Sequence, residues 1–298
     1  MTPTPRVSIG VPVYNGARFL ALTLDSLLAQ TYREFEIIIG DNASTDRTEE
    51  ICRAYAAKDP RVRYVRHEHN LGLARNYMRL LELARGELFR WAAADDLSAP
   101  EAVQACVAAL DRDPRAILAY PKTTLIDETG KVLEDYEDNL DMPDARPSVR
   151  FRLVLSRLAL CNAVFGLMRT AVLRQTRGMQ SYVPSDVALL AELALYGRFI
   201  EVPERLFFRR FHPQASSALK GAAKQSLFTP GVSGTDTGNE WRQLREMTIS
   251  MMRAPIPATE KLRVGAYLIR LAKWRMGPLA RELGSGLLAA GNVGRRRT

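Results

Sequence analysis

The 298-residue sequence predicts an α/β fold, a mostly parallel central sheet flanked by helices and followed by a helical C-terminal region. Three observations carry this. Short β-branched apolar runs alternate with segments of helical periodicity from residue 6 to about 112, the pattern of βαβ units with right-handed crossovers. The apolar runs break at polar turns built from Asn, Asp and Gly. Beyond residue 240, two basic helical patterns close the chain.

Arg6 to Pro12 is short, β-branched and apolar, as a buried parallel strand requires, and Tyr14-Asn15-Gly16 breaks it. From Ala17 to Gln30, Leu20, Leu24, Leu27 and Leu28 fall on one helical face. Phe35 to Gly40 is the second strand, ended by Asp41-Asn42, and Ser44 or Thr45 is placed to cap a helix from Asp46 to Ala57. A third strand spans Arg61 to His67, a helix Ala74 to Arg85, and a fourth strand Glu87 to Ala93. A helix then runs to about Arg112, with Ser98 and Glu101 at capping-box spacing and Pro100 in its first turn. Further on, the pattern predicts a strand at Ala116 to Tyr120, a turn at Asp127-Glu-Thr-Gly130 between short strands, and an exposed acidic loop from Glu134 to Pro147. A helix at Val149 to Leu160, a strand at Ala163 to Met168, a helix at Asp186 to Tyr196, and strands at Arg198 to Val202 and Arg205 to Phe211 follow. Gln214 to Glu240 is rich in Ser, Gly, Thr and Ala, the composition of a lid or linker. Trp241 to Met252 and Ala258 to Arg275 are helical. The expected organisation is therefore a catalytic domain over 1–215, a flexible segment over 216–240 and a basic helical region over 241–298.

The apolar (47%) and charged (25%) fractions are those of an ordinary globular protein. Cys52, Cys106 and Cys161 lack metal-ligand spacing and read as packing residues in a reducing compartment. The first six residues lack the apolar core of a signal peptide, and no apolar run approaches the ~20 residues of a membrane span. A cytoplasmic protein is expected. The net charge of +9 is concentrated late, in residues such as Arg270, Lys273 and Arg295 to Arg297. That leaves contact with the inner face of the plasma membrane open. Nucleic acid is not an expected partner, for no zinc-finger, RNA-recognition or helix-turn-helix pattern occurs.

The chemistry is expected where Leu88 to Ala94 ends in Asp95-Asp96. Ligands of open α/β sheets bind beyond the carboxyl ends of the strands, and paired carboxylates suit a hard cation such as Mg²⁺ or Mn²⁺. The same pair also reads as solvated loop charge favoured by the following helix N-terminus.

Four blocks in order, Val7-Ser-Ile-Gly-Val-Pro-Val-Tyr-Asn15, Asp41-Asn-Ala-Ser-Thr-Asp46, Asn70-Leu-Gly-Leu-Ala-Arg-Asn76 and Asp95-Asp96, resemble those of family 2 glycosyltransferases. The resemblance is strong over residues 6 to 130 and weaker to about 215. It implies the Rossmann-like GT-A fold and a nucleoside diphosphate sugar donor, UDP-linked. It also implies a glycan or lipid-linked acceptor in polysaccharide, glycolipid or cell-envelope synthesis, and a divalent metal (Mn or Mg). By the same resemblance Tyr14 stacks on the base, Pro12 and Asn15 shape the turn against the nucleotide, and Asp41 accepts from a uracil-type imide N–H. Arg75 donates to a base carbonyl or phosphate, Asp95 meets the ribose, Asp96 binds the metal, His212 is a metal or diphosphate ligand, and Asp186 is the catalytic base. Each has a plainer reading, Asp186 as a first-turn carboxylate and His212 as a structural histidine among them.

The sequence departs from the family at two places. Ala93 occupies the first acidic position of the Asp-x-Asp-Asp box, and Ser185 stands where Glu often precedes the base. The Gln-x-x-Arg-Trp block of processive synthases is absent, so a single addition is expected, and the resemblance implies that it proceeds with inversion. A nucleotidyltransferase would want a Gly-rich basic loop after the first strand, and a dehydrogenase Gly-x-Gly-x-x-Gly; Tyr14-Asn15-Gly16 is neither. The alternatives are a non-catalytic nucleotide-binding or membrane-surface adaptor on the same fold, or a nucleotidyltransferase despite that loop.

Overall fold

The structure, a computed structural model, describes residues 4–216, 218–219, 221–228 and 239–282. The N-terminal half follows the predicted alternation closely: β1 (Val7–Val13), α1 (Leu20–Leu28), β2 (Phe35–Asp41), α2 (Thr48–Lys58), β3 (Val62–Arg66), α3 (Leu73–Leu83) and β4 (Leu88–Trp91). After a two-residue β5 (Leu97–Ser98) come α4 (Ala102–Arg112), β6 (Ala116–Ile126), β7 (Val132–Tyr136), α5 (Pro147–Arg157), β8 (Leu167–Arg169), α6 (Thr170–Leu173), α7 (Ser185–Tyr196) and β9 (Arg198–Arg210). Helices α8 (Gly221–Phe228), α9 (Asn239–Arg253) and α10 (Ala258–Trp274) complete the described chain.

The strands form one sheet in the order β3-β2-β1-β4-β8-β6-β9-β5, with β7 paired to β6. β1 is parallel to both β2 and β4, and β2 to β3; beyond β4 the pairing is mixed, with β8 antiparallel to β4 and β6, and β9 parallel to β6. Strand order reverses at β1 and β4, which opens a crevice beyond their carboxyl ends, the place where such sheets take ligands.

Alternation along β2 sends Ile38 to one face and Ile37 and Ile39 to the other, so each face of the sheet has its own core. One joins Leu20, Leu24 and Leu27 of α1 to Val103, Val107 and Leu110 of α4. The other joins α3, α5 and α7 to Met247 and Met251 of α9 and to Val264 and Leu268 of α10. Gly40 lets α3 approach: a Cβ there would stand 2.6 Å from Asn76 Oδ1, and instead Asn76 Nδ2 donates to the Gly40 carbonyl at 2.7 Å. Gly72, at φ 84°, turns the chain into α3 through a backbone region that side-chain-bearing residues seldom enter.

Helix α7 is buried at every position from Ala188 to Leu195, so it needs cover on all sides. α5 and α9 supply part of it. Next to them Arg177 pairs with Glu246 of α9 at 2.8 Å while its backbone N–H donates to Glu192 of α7 at 2.9 Å.

Several expectations are corrected. The Ser98–Glu101 capping box does not form, because Ser98 is drawn into β5 against Phe207 of β9; Gln30 Oε1 instead accepts from Val103 N at the start of α4. Asp46, not Ser44 or Thr45, accepts from Thr48 N at the start of α2. The predicted strand at Ala163 to Met168 is a 3₁₀ turn (Asn162–Phe165) followed by β8. The two strands predicted between Arg198 and Phe211 are one strand, bulged where Val202 and Arg205 pair with Pro121 and Lys122, so that Pro203 is left without a ladder partner. The acidic segment 134–147 is not wholly exposed: it begins in β7, and Leu140 and Met142 are fully buried anchors. The predicted flexible segment contains α8, and its residues 229–238 lie outside the described residues.

Candidate active site

The turn leaving β1 is fastened to the turn leaving β2. Asn15 takes a left-handed conformation (φ 51°), its N–H donates to Ser44 Oγ at 2.9 Å, and its Oδ1 accepts from Thr45 N at 2.8 Å. Gly16 N donates to Thr48 Oγ1 at 2.9 Å. With the backbone held, the Tyr14 ring stands 46% exposed at the mouth of a cleft of about 640 Å³. Pro12, Tyr14, Asn15, Asp95 and His212 line that cleft together. Arg18, three amides (Asn42, Asn70 and Asn76) and Ser226 and Leu227 of α8 add to its walls.

The acidic pair divides its two carboxylates. Asp95 lines the cleft, with Oδ2 3.0 Å from His212 Nε2. Asp96 turns inward, 6% exposed, and its Oδ1 accepts from Arg210 N at 2.8 Å. Burial and the neighbouring Asp95 charge push the Asp96 carboxyl up, against the pull of the Arg210 N–H and of the Arg209 and Arg210 charges. The hydrogen bond to Asp95 raises His212, whose ring packs on Phe19 with centroids 4.8 Å apart. Against the expected division of labour, Asp95 to ribose and Asp96 to metal, only Asp95 faces the cleft, because Asp96, next to it in the loop after β4, is drawn inward by the Arg210 N–H.

Two expected base-binding residues lie elsewhere. Asp41 is fully buried; its Oδ1 accepts from Ser44 N (2.8 Å), and its Oδ2 from Tyr64 Oη (2.8 Å) and Arg66 Nη1 (2.7 Å). Burial alone would raise its pKa, but the bonds from Ser44, Tyr64 and Arg66 prevail and keep it ionised. Arg75 is exposed on the outer side of α3 and is not among the cleft-lining residues, whereas its neighbour Asn76 is. The wall is instead an amide ladder: Asn42 Nδ2 donates to Asn70 Oδ1 at 2.7 Å, and Asn42 Oδ1 accepts from Leu71 N at 2.8 Å.

Asp186 occupies the first turn of α7, half-buried, with Oδ1 accepting from Val187 N at 2.9 Å, and its charge adds to the burial that raises the Cys161 thiol. It does not line the cleft wall. Tyr77 does, and the Asp95, Asp96 and Asp186 charges all add to the burial that raises its hydroxyl, so it lies within electrostatic reach of all three.

Reasoning from sequence missed Arg209 and Arg210. Arg210 is 3% exposed and ties the end of β9 to the site: Nε donates to Asp95 O at 2.9 Å, Nη1 to Asp127 O at 3.0 Å, and the guanidinium stacks over Phe19. Arg209 Nη1 reaches Asn162 Oδ1 at 2.6 Å, and Asn162 Nδ2 donates to Asp138, whose carboxyl burial pushes up to about 6. The available signal was the doubled arginine directly before Phe211-His212.

No group of three or more His, Cys, Asp or Glu side chains that could hold a metal occurs among the described residues. Asp95 and His212 offer one oxygen and one nitrogen on the cleft wall. The carboxylate suits Mg²⁺ or Mn²⁺, which prefer oxygen, keep several waters and fill their shell with substrate phosphates; His212 would join as a ligand with Nε2 deprotonated and released from Asp95.

Residues 8–168, more than half of the chain, match the family model for glycosyl transferase family 2. An uncharacterized glycosyltransferase of Rickettsia typhi is 36% identical over 133 residues, 44% of this chain and 41% of the relative. The putative glycosyltransferase EpsE of Bacillus subtilis is 33% identical over 131 residues, 44% of this chain and 47% of EpsE. The match thus spans less than half the length of these curated relatives. Among solved structures, residues 1–349 of Staphylococcus aureus TarS, in complex with UDP-GlcNAc, superpose with TM-score 0.68 at 18% identity, over 94% of this chain and 80% of that one. The mannosyltransferase PcManGT of Pyrobaculum calidifontis, with GDP-Man and Mn²⁺, gives 0.56 at 19% identity, over 98% and 81%. At those identities the likeness is one of fold, and the fold is GT-A.

Proposed function

The chain belongs to glycosyl transferase family 2, and from that premise we propose that it moves one sugar from a UDP-linked donor to an acceptor hydroxyl with inversion. The observation that carries the reading is the convergence of Tyr14, Asn15, Asp95 and His212 on one cleft at the switch point of the sheet. Tyr14 stacks on the base, and the Asn42–Asn70–Asn76 wall offers the amide donors and acceptors a pyrimidine edge needs. Asp41 acts from beneath, holding Ser44 and Arg66 against the turn that carries Asn15. The family resemblance and the UDP-GlcNAc complex of TarS support uridine over guanosine.

Asp95 and His212 would hold the divalent ion, with Asp96 as the buried buttress of the pair. When bound, the ion supplies positive charge beside the diphosphate as the glycosidic bond breaks. Arg18, on the same wall, adds a cation. Asp186, held at the start of α7 by the Val187 N–H, takes the proton of the attacking hydroxyl, and the attack is in line, opposite the leaving diphosphate. Helix α8, which brings Ser226 and Leu227 to the cleft, acts as a lid over the 1–215 catalytic unit. The acceptor is a glycan or lipid-linked glycan of envelope or exopolysaccharide synthesis, made on the cytoplasmic side, a setting that the three free cysteines support.

Thermal melts with UDP, GDP and dTDP, each with and without Mn²⁺, test the reading. At one hundred times Kd, ligand binding adds about 2.7 kcal/mol, a rise of roughly 4 °C for a protein of this size. UDP with Mn²⁺ should give the largest rise; no response to any of the nucleotides would defeat the proposal.

A further inference from the structure

The outer side of α10 has no described partner, and its surface chemistry is of one kind. Leu262 and Ile269, seven residues apart and so on one side, are 74 and 62% exposed; Trp274 at the end of the helix is 68% exposed, and Met276, just past it, 66%. Arg270 and Lys273 flank them, also exposed. On the opposite side Val264, Leu268 and Leu271 are buried, in a helix packed on α5 and α9. The fold therefore spends one face of α10 on its core and leaves a second apolar stripe facing outward that packing does not use. Glu260, the acid of this helix, is 6% exposed and turned inward to accept from Ser148 N at 2.8 Å, so the exposed charges of α10 are all positive.

We propose that this face docks on an anionic lipid bilayer. An apolar stripe bordered by cations, with an indole at its end, lies in the plane of an interface: the stripe enters the acyl boundary, and Arg270 and Lys273 meet lipid phosphates. A second copy of the chain is a poorer occupant, since a two-fold contact would set these cations against their own counterparts. No helix among the described residues is long and apolar enough to cross a membrane. Attachment through α10 would be peripheral.

Co-sedimentation of the full chain with phosphatidylcholine vesicles, with and without phosphatidylglycerol, tests the assignment. Binding should require phosphatidylglycerol and weaken with salt. Arg270→Glu with Lys273→Glu should lower partitioning by about 25-fold or more, at about fivefold per lost cation. Leu262→Ser with Ile269→Ser should abolish it, while circular dichroism and UDP binding stay as in the parent chain. Absence of wild-type binding overturns the proposal. So does binding that survives both double variants, which would move the contact to another basic segment such as Arg295 to Arg297. A concentration-dependent dimer dissolved by Ile269→Ser, without vesicle binding, would make the face a contact between copies instead.

Discussion

Asp95→Asn and Asp96→Asn, one residue apart, should have opposite consequences. Asp96 is buried, its carboxyl is pushed up by burial and by Asp95, and its Oδ1 accepts the Arg210 N–H. Asparagine keeps that acceptor and resembles the protonated acid, so Asp96→Asn should change stability by less than about 1 kcal/mol. Asp96→Ala leaves the Arg210 N–H buried without a partner, at a cost of about 1–3 kcal/mol, or roughly 2–5 °C in melting temperature. A carboxyl raised in the fold binds its proton more tightly than in the unfolded chain. Its contribution to stability is therefore full in acid and declines as pH rises from the ordinary carboxylate pKa through the raised one; Asp96→Asn should lack that slope. Asp95 is 30% exposed beside His212, and its exchange for Asn should barely move the melt. Its effect falls on function: metal-dependent UDP binding should disappear and transfer should drop by about 10²–10³-fold, the scale of losing one electrostatic contact to developing charge. Calorimetric titration of UDP with and without Mn²⁺, paired with melts across pH, reads both. If Asp96→Asn abolished Mn²⁺-dependent binding while Asp95→Asn kept it, the assignment of the two carboxylates would be reversed.

Tyr14→Ala should weaken UDP binding by about 5- to 150-fold, the loss of ~1–3 kcal/mol of stacking, while Tyr14→Phe keeps it; titration calorimetry decides. Glu36, buried in β2, accepts from Ser8 Oγ (2.7 Å), Arg63 Nη1 (3.0 Å) and Arg85 Nε (3.0 Å). Burial opposes its ionisation, but the bonds from Arg85, Ser8 and Arg63 outweigh that and hold its pKa below the usual range. Its contribution is thus present above the ordinary carboxylate pKa and lost as pH falls through the lowered one. Glu36→Gln should cost about 2–3 kcal/mol at neutral pH, under the roughly 3–5 kcal/mol of a fully buried pair because Arg85 is half exposed, and should flatten the acid limb of denaturant-melt stability.

The first four strands and their helices were legible because each buried parallel strand is a continuous apolar run and each crossover helix shows its own periodicity. The later sheet was less so. β8 is three residues long and exists through partners far off in sequence, Leu88 and Phe89 on one side, Leu118 and Ala119 on the other. The Val202–Arg205 bulge hides one strand as two, because Pro203 reads as a break while the pairing steps around it. In the site, Tyr14, Asn15, Asp95 and His212 could be located because each lies within four residues of the carboxyl end of a strand. Which of Asp95 and Asp96 faces the cleft depends on the backbone path after Trp91, and that path is set by Arg210, more than a hundred residues downstream. The inward turn of Asp41 likewise depends on Tyr64 and Arg66 of β3.

Because α7 is enclosed on every side, the segment carrying Asp186 is inseparable from the helices that come after it. A fragment stopping at residue 215 would strip Met247 and Met251 from its rear, leave a greasy flank open to water, and deprive Arg177 of Glu246. The shortest useful expression fragment therefore has to run on through α9 and α10. α10 packs on α5 and α9, and both pack on α7, so the proposed docking face and the helix headed by Asp186 belong to one packed layer.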